Sequence, residues 1–207
     1  AGDLVGLTFD GYLEAEAPDL TPFSGLAGRA LGGAALIELR GRMQPLTGAL
    51  DIEAALTPPD LTLDIAEADA LLAGRAGIDL SLRRDTEGTE LRRLSIDAGT
   101  LTLGATGRIL PEDETRLDVL LRLTDLSRLG QGYGGTLGLA LEYRERDGRR
   151  QAELSGELVD LALGRGRPGA AQVGGLFRGT TRLGARVGQA DGVTTIENLA
   201  LNGPQLA

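Results

Sequence analysis

The chain is written in short runs where apolar and polar residues alternate. Leu50-Asp51-Ile52-Glu53-Ala54 is one, and Leu61-Thr62-Leu63-Asp64-Ile65 and Ile78-Asp79-Leu80-Ser81-Leu82 are two more. Leu94-Ser95-Ile96, Leu101-Thr102-Leu103, the stretch from Leu137 to Tyr143, the stretch from Leu154 to Leu158 and Leu199-Ala200-Leu201 repeat the pattern. A period of two places the apolar side chains on one face of a strand and the polar ones on the other. Glu87-Gly88, Asp147-Gly148, Asp191-Gly192 and Pro58-Pro59-Asp60 separate the runs as turn signals. The Asp-Gly pairs suit tight hairpins, because glycine accepts a positive φ. The pattern predicts an all-β chain built as an antiparallel sheet.

Leucine, alanine and glutamate are better helix formers than strand formers. Three stretches can therefore form connectors of about two helical turns: Pro22 to Ala30, Glu67 to Ala73, and Leu126 to Gly130.

A long repeat underlies the alternation. Leu91-Arg92-Arg93-Leu94-Ser95-Ile96-Asp97 returns about 105 residues later as Ile196-Glu197-Asn198-Leu199-Ala200-Leu201-Asn202. Asp85-Thr86-Glu87-Gly88 is echoed by Gln189-Ala190-Asp191-Gly192, Pro18-Asp19-Leu20 by Thr124-Asp125-Leu126, and Asp60-Leu61 by Asp160-Leu161, all in the same order. Such recurrence predicts quasi-linear stacking, each unit burying its apolar face against its neighbours. We read 1–207 as one continuous segment with two units, roughly 1–100 and 101–207, and as an interior piece of a longer protein.

Composition narrows the function. Of 207 residues, 42% are hydrophobic but only 3% aromatic, so the apolar mass is aliphatic. The net charge of −9 and the scattered arginines argue against nucleic acid, whose phosphates need clustered cations and whose bases need aromatic platforms. With neither Cys nor His, the chain has no thiol nucleophile, no thiolate or imidazole metal ligand and no histidine base. We therefore expect no enzyme, no cofactor and no metal. No window of about 18 residues is apolar enough to span a membrane as a helix.

The candidate chemistry is thin. Glu14 with Glu16, and Glu112-Asp113-Glu114, are acidic pairs of the kind glycosidases use. The first pair alternates on one solvent face and the second follows Pro111 in a turn. Gly130-Gln131-Gly132-Tyr133-Gly134-Gly135 lacks the flanking strand, helix and Lys of a phosphate loop and reads as a loop. Gly164-Arg165-Gly166-Arg167-Pro168 is a loop with two cations, to which head groups or carboxylates could bind.

The alternating Leu/Ile face has two readings: the core of a closed sandwich or barrel, or an open apolar groove. Thr106-Gly107-Arg108-Ile109, the run Leu117 to Leu126, Gly135 to Leu139, Ile196 to Leu201, and Pro18-Asp19-Leu20 followed by the glycine-rich Leu26 to Leu39 resemble the TamB family of AsmA-like envelope proteins. The resemblance covers the whole chain and is compositional. It implies an elongated curved antiparallel sheet forming an apolar trough, the β-taco, in the periplasm, as part of a protein anchored in the inner membrane outside this segment. It implies phospholipid transport between the membranes and outer-membrane protein assembly. Its partners would be phospholipid acyl chains, nascent outer-membrane proteins and, through the full-length protein, a TamA-like Omp85 protein. On that reading Ile52, Leu61, Leu63, Leu80, Leu82, Ile96, Leu103, Val119, Leu121, Leu139, Leu141 and Leu158 line the trough. One alternative is a chaperone-like trough that holds nascent outer-membrane β-strands; a second is a structural solenoid with a closed core.

Overall fold

Among the described residues the alternation becomes eleven antiparallel strands in one open sheet, in sequence order from first to last. A computed structural model describes residues 7–111, 114–162 and 177–205. The strands are β1 (Phe9–Ala17), β2 (Ala35–Gln44), β3 (Ala49–Thr57), β4 (Gly77–Asp85), β5 (Gly88–Ala98), β6 (Leu101–Leu110), β7 (Glu114–Leu123), β8 (Gly134–Arg146), β9 (Arg149–Ala162), β10 (Thr180–Ala190) and β11 (Val193–Asn202). Two short helices, α1 (Ser24–Ala27) and α2 (Ala66–Leu72), and 3-10 turns at Thr21–Phe23 and Leu126–Leu129 fall where connectors are expected. The sheet neither closes nor curls over itself, so the apolar rows form an open face.

Connections differ between the two ends of the strands. At one end β2–β3, β4–β5, β8–β9 and β10–β11 are joined by tight turns. Asp147 (φ 52°) with Gly148 (φ 71°), and Asp191 (φ 53°) with Gly192 (φ 77°), adopt positive φ at both central positions. That is the mirror-image turn whose twist matches the strands. At the other end lie the long connectors 18–34, 58–76 and 124–133. They fold onto the sheet and supply its buried cluster. Leu20, Leu61, Leu72, Ala76 and Leu126 from the connectors meet Ala17, Ala35, Ala98, Leu101 and Leu123 from the strand ends.

The connectors are tied to one another. Gly32 and Thr62 exchange backbone hydrogen bonds of 3.0 and 3.1 Å, joining the first two connectors. The Leu63 N–H donates to Asp69 Oδ1 at 2.6 Å, fixing the entry to α2. Arg128 Nη2 donates to the Ala73 carbonyl at 3.3 Å, joining α2 to the third connector.

One predicted strand is absent. Leu61 to Ile65 alternates, yet it forms a single bridge at Thr62 rather than a strand. Pro58 and Pro59 offer no N–H to a ladder, and Asp64 takes φ 56°, which breaks extended geometry. Leu61 and Leu63 are thus not on a strand face. Leu61 is buried in the connector cluster and Leu63 packs against it.

The repeat has a structural counterpart. Ser81 pairs with Arg93 and Leu82 with Leu91, leaving Arg92 as a bulge on β5. Arg186 pairs with Asn198 and Val187 with Ile196, leaving Glu197 as a bulge on β11. The β4–β5 and β10–β11 hairpins therefore match residue for residue at one constant spacing, bulge included. Asp19 and Asp125 match likewise: each follows its strand, and its Oδ1 accepts the backbone N–H two residues on, from Thr21 and Ser127, at 2.9 Å.

Candidate apolar binding face

Strand register decides which side chains share a face. The row nearest the connectors runs Ala15, Ile37, Leu56, Ile78, Ile96, Leu103, Leu121, Leu139, Gly156, Leu183, Leu201 across all eleven strands. The second row runs Leu13, Leu39, Ala54, Leu80, Leu94, Ala105, Val119, Leu141, Leu154, Ala185, Leu199. The third runs Gly11, Gly41, Ile52, Leu82, Leu91, Gly107, Leu117, Tyr143, Ala152, Val187, Ile196. No charged residue interrupts any of the three. Gly156, the gap in the first row, is overhung by its neighbours: a Cβ there would lie 2.6 Å from Leu139 Cδ2 and 3.5 Å from Leu183 Cδ1.

Ten of the twelve sequence-predicted lining residues share this face. Ile96, Leu103, Leu121 and Leu139 are in the first row, Leu80, Val119 and Leu141 in the second, Ile52 and Leu82 in the third. Leu158 pairs with Leu137 and Thr181 at the connector end. Leu61 and Leu63 stand apart, in the connector layer. The sequence reading passed over Leu94, Leu117, Leu154 and Leu183 on the same rows. In β5 the Arg92 bulge breaks the period, so Leu91 and Leu94, three apart, share a face that period-two reading separates. In Val119-Leu120-Leu121 the register puts the outer two on the apolar face and leaves Leu120 on the polar one, 65% exposed.

The face is only partly covered. Ile37, Leu56, Ile78, Ile96 and Leu121 pack against the connector cluster, so the connectors form a low wall along one side of the face. The other row residues are mostly half-buried. Three rows spaced about 6.6 Å apart across strands about 4.8 Å apart give a band on the order of 900 Å². Soluble monomers rarely expose contiguous apolar patches beyond a few hundred Å². Toward the hairpins the next row is apolar at Phe9, Met43, Leu50 and Ile109 and polar elsewhere, with a continuous polar rim from β7 to β11 at Thr115, Glu145, Arg150, Gln189 and Thr194. There Glu145 accepts hydrogen bonds from Arg150 Nε at 2.9 Å and Tyr143 Oη at 2.8 Å. Those two bonds, Arg150's first, hold the Glu145 carboxyl below its ordinary range, and the carboxylate in turn raises the Tyr143 phenol.

The opposite face is charged and laced with exposed ion pairs. Arg42–Asp10 at 2.9 Å and Arg186–Glu153 at 2.8 Å are directly opposed in register, and Arg92 pairs with Asp51 two strands away. Exposed pairs of this kind contribute little stability. Here they bias the charged residues to the outer side of the pleat.

The candidate catalytic groups come to little. Glu14 and Glu16 are exposed on the polar face of β1, Glu14 accepting from Tyr12 Oη at 3.0 Å. Glu112 and Asp113, and the Gly164–Pro168 loop, lie outside the described residues. Gly130 to Tyr133 form a turn into β8. Among the described residues no group of three acidic side chains is placed to hold a metal ion, and no helix is long and apolar enough to cross a membrane.

These features define a class: an all-β, single-layer open sheet with one continuous aliphatic face and one charged face. No family model, curated protein or solved structure matches the chain.

Proposed function

We propose that this segment binds apolar chains on its open face rather than catalysing a reaction. On this reading it is a periplasmic part of a TamB-like envelope-biogenesis protein, and the face conducts phospholipid acyl chains between the membranes. The observation that carries the reading is the unbroken register of apolar residues across eleven strands with, among the described residues, no second sheet laid over it. Leu, Ile and Val offer neither hydrogen bonds nor aromatic stacking. They select for an aliphatic ligand, at about 25 cal/mol per Å² of apolar surface removed from water. The polar rim from β7 to β11 would leave a head group in water while the tail lies across the strands. Attachment to the inner membrane, and docking to a TamA-like Omp85 protein, would belong to the full-length protein.

A second reading takes nascent outer-membrane β-strands as the cargo. It is favoured by β11, whose outer edge pairs with no strand among the described residues. Photocrosslinkers at Leu121 and Leu139 in the full-length protein in cells separate the two. Phospholipid adducts support transport, and outer-membrane protein adducts support the second reading. Adducts confined to the chain itself would mean a closed core and end both.

A further inference from the structure

The β8–β9 hairpin concentrates positive charge. Residues 144–150 hold four arginines in seven positions, in a chain of net charge −9. Arg144 pairs with Glu142 at 2.8 Å and Arg150 with Glu145 at 2.9 Å. Arg146 reaches only its neighbour Asp147, at 3.8 Å, and both side chains are more than three-quarters exposed. Among the described residues Arg149 makes no ion pair.

Register makes this arrangement costly. Arg146 and Arg149 are direct partners across the hairpin, on the polar face, and Arg144 stands on that face two positions before Arg146. Like charges directly opposed on one face of a sheet repel and destabilise it. Opposed Cα atoms lie about 5 Å apart, so both guanidiniums can reach one point. Asp147 and Gly148, each at positive φ, hold the pair at the mouth of a tight turn. β8, β9 and β10 are each paired on both sides, so this arginine wall belongs to the interior of the sheet. Beside it the polar face sinks into a hollow of about 600 Å³. Gly188, opposite Gln151, and Ala190 give it a low floor. Its far wall includes Glu197, whose Oε1 lies 3.0 Å from where a Cβ on Gly188 would stand, and whose charge helps raise the Arg186 guanidinium. Four arginines and two carboxylates, Asp147 and Glu197, line the hollow, so it is positive on the β8–β9 side.

We propose that this hollow is a phosphate-binding site in which the Arg146 and Arg149 guanidiniums close on one phosphate group, with Arg144 and Gln151 at its edge. Every cationic side chain in the sequence is an arginine, and the guanidinium fork holds phosphate oxygens two at a time. A carboxylate has two oxygens, which one fork satisfies. A phosphate group has enough for both forks. Its charge turns the repulsion between the opposed arginines into a shared attraction. The phosphate is carried by a lipid head group or is free in solution. The site lies on the charged side of the sheet and goes beyond the reading of the apolar face.

The test uses the 207-residue chain in chloride buffer at constant ionic strength. Titration with inorganic phosphate should move the amide resonances of Arg146 and Arg149 to saturation. Arg146→Gln and Arg149→Gln should each weaken binding about tenfold. Arg42→Gln, whose guanidinium pairs with Asp10 near the first strand, should leave it unchanged. Without phosphate, Arg149→Gln should raise the thermal midpoint by about 1–2 °C, because the repulsion is gone. Added phosphate should raise the midpoint of the parent and not that of the variant. Flotation with phosphatidylglycerol vesicles, with and without competing phosphate, separates the two sources. Recruitment that phosphate displaces assigns a lipid head group, and phosphate binding without recruitment assigns a soluble phosphate. No saturable shift, equal loss in Arg42→Gln, an Arg149→Gln variant that binds like the parent, or recruitment that phosphate leaves intact would overturn the site.

Discussion

At the residue scale, face decides consequence. Leu120 and Leu121 are adjacent and chemically identical, but Leu121 packs against the connector cluster while Leu120 stands in solvent. Leu121→Asp puts a charge among aliphatic neighbours and should cost roughly 2–4 kcal/mol. Leu120→Asp should stay within about 0.5 kcal/mol of the parent. Urea unfolding of the two variants checks the assignment, and equal losses would mean that β7 sits in a different register. The capping carboxylates give a second handle. Asp19 and Asp125 are held below the ordinary carboxylate range by hydrogen bonds from Thr21 and Ser127, and Asp85 by the Glu87 backbone N–H. A depressed folded-state pKa means stability that is complete above the unfolded value, about 3.9. It is lost as pH falls through the lower folded values. The urea midpoint should therefore fall below about pH 4 on account of these groups. Asp125→Asn keeps an acceptor for the Ser127 N–H but titrates nothing, so its midpoint should fall less steeply over that range.

At the element scale the turns and bulges set the register, and register is what makes the apolar rows continuous. In the β8–β9 hairpin Gly148 sits at φ 71° after Asp147 at φ 52°. A β-branched residue there must adopt a left-handed conformation costing about 1–2 kcal/mol. Gly148→Val should lower the thermal midpoint, whereas Arg149→Val, one residue on and exposed within β9, should not; a differential scan of both variants reads the difference. The same elements show how far the sequence could be read. Alternation and Asp-Gly pairs placed the sheet and its tight turns, because each depends on neighbours in the chain. Leu61 to Ile65 misled because alternation cannot report that two prolines and a positive-φ aspartate forbid a ladder. The bulges at Arg92 and Glu197 hid Leu91 and Ile196 from a fixed period of two, since each lies an odd number of residues from the apolar positions that follow it on its strand. They become visible only when the repeat is aligned, since both extra residues fall at the same place in Leu91–Asp97 and Ile196–Asn202. Whether the apolar face is covered could not be read either: coverage depends on which elements stack, and period two is the same for an open face and a sandwich.

At the scale of the whole molecule, each strand touches its two neighbours and little else, so stability should vary along the sheet rather than be shared evenly. The connector cluster is assembled from 17–35, 58–76 and 98–126, over the strands from β1 to β8. Beyond β8 the described residues offer only Leu161 to that cluster, and β11 is exposed along almost its whole length. Opening β11 breaks one ladder and re-exposes side chains that already face water, whereas opening β5 breaks two ladders and uncovers Ile96 and Ala98 beneath the connectors. Native-state hydrogen exchange should accordingly show the slowest amides in β4 to β7 and a fall in protection through β10 to β11, with β11 exchanging by local opening far below the global unfolding free energy. Leu72→Ala, which removes a buried contact from α2, should cost about 2–5 kcal/mol. It should accelerate exchange in β3 to β8 while leaving β11 at its parent rate. If all eleven strands instead exchange together, the sheet folds as one cooperative body. Graded opening along the sheet would then not be a property of this chain.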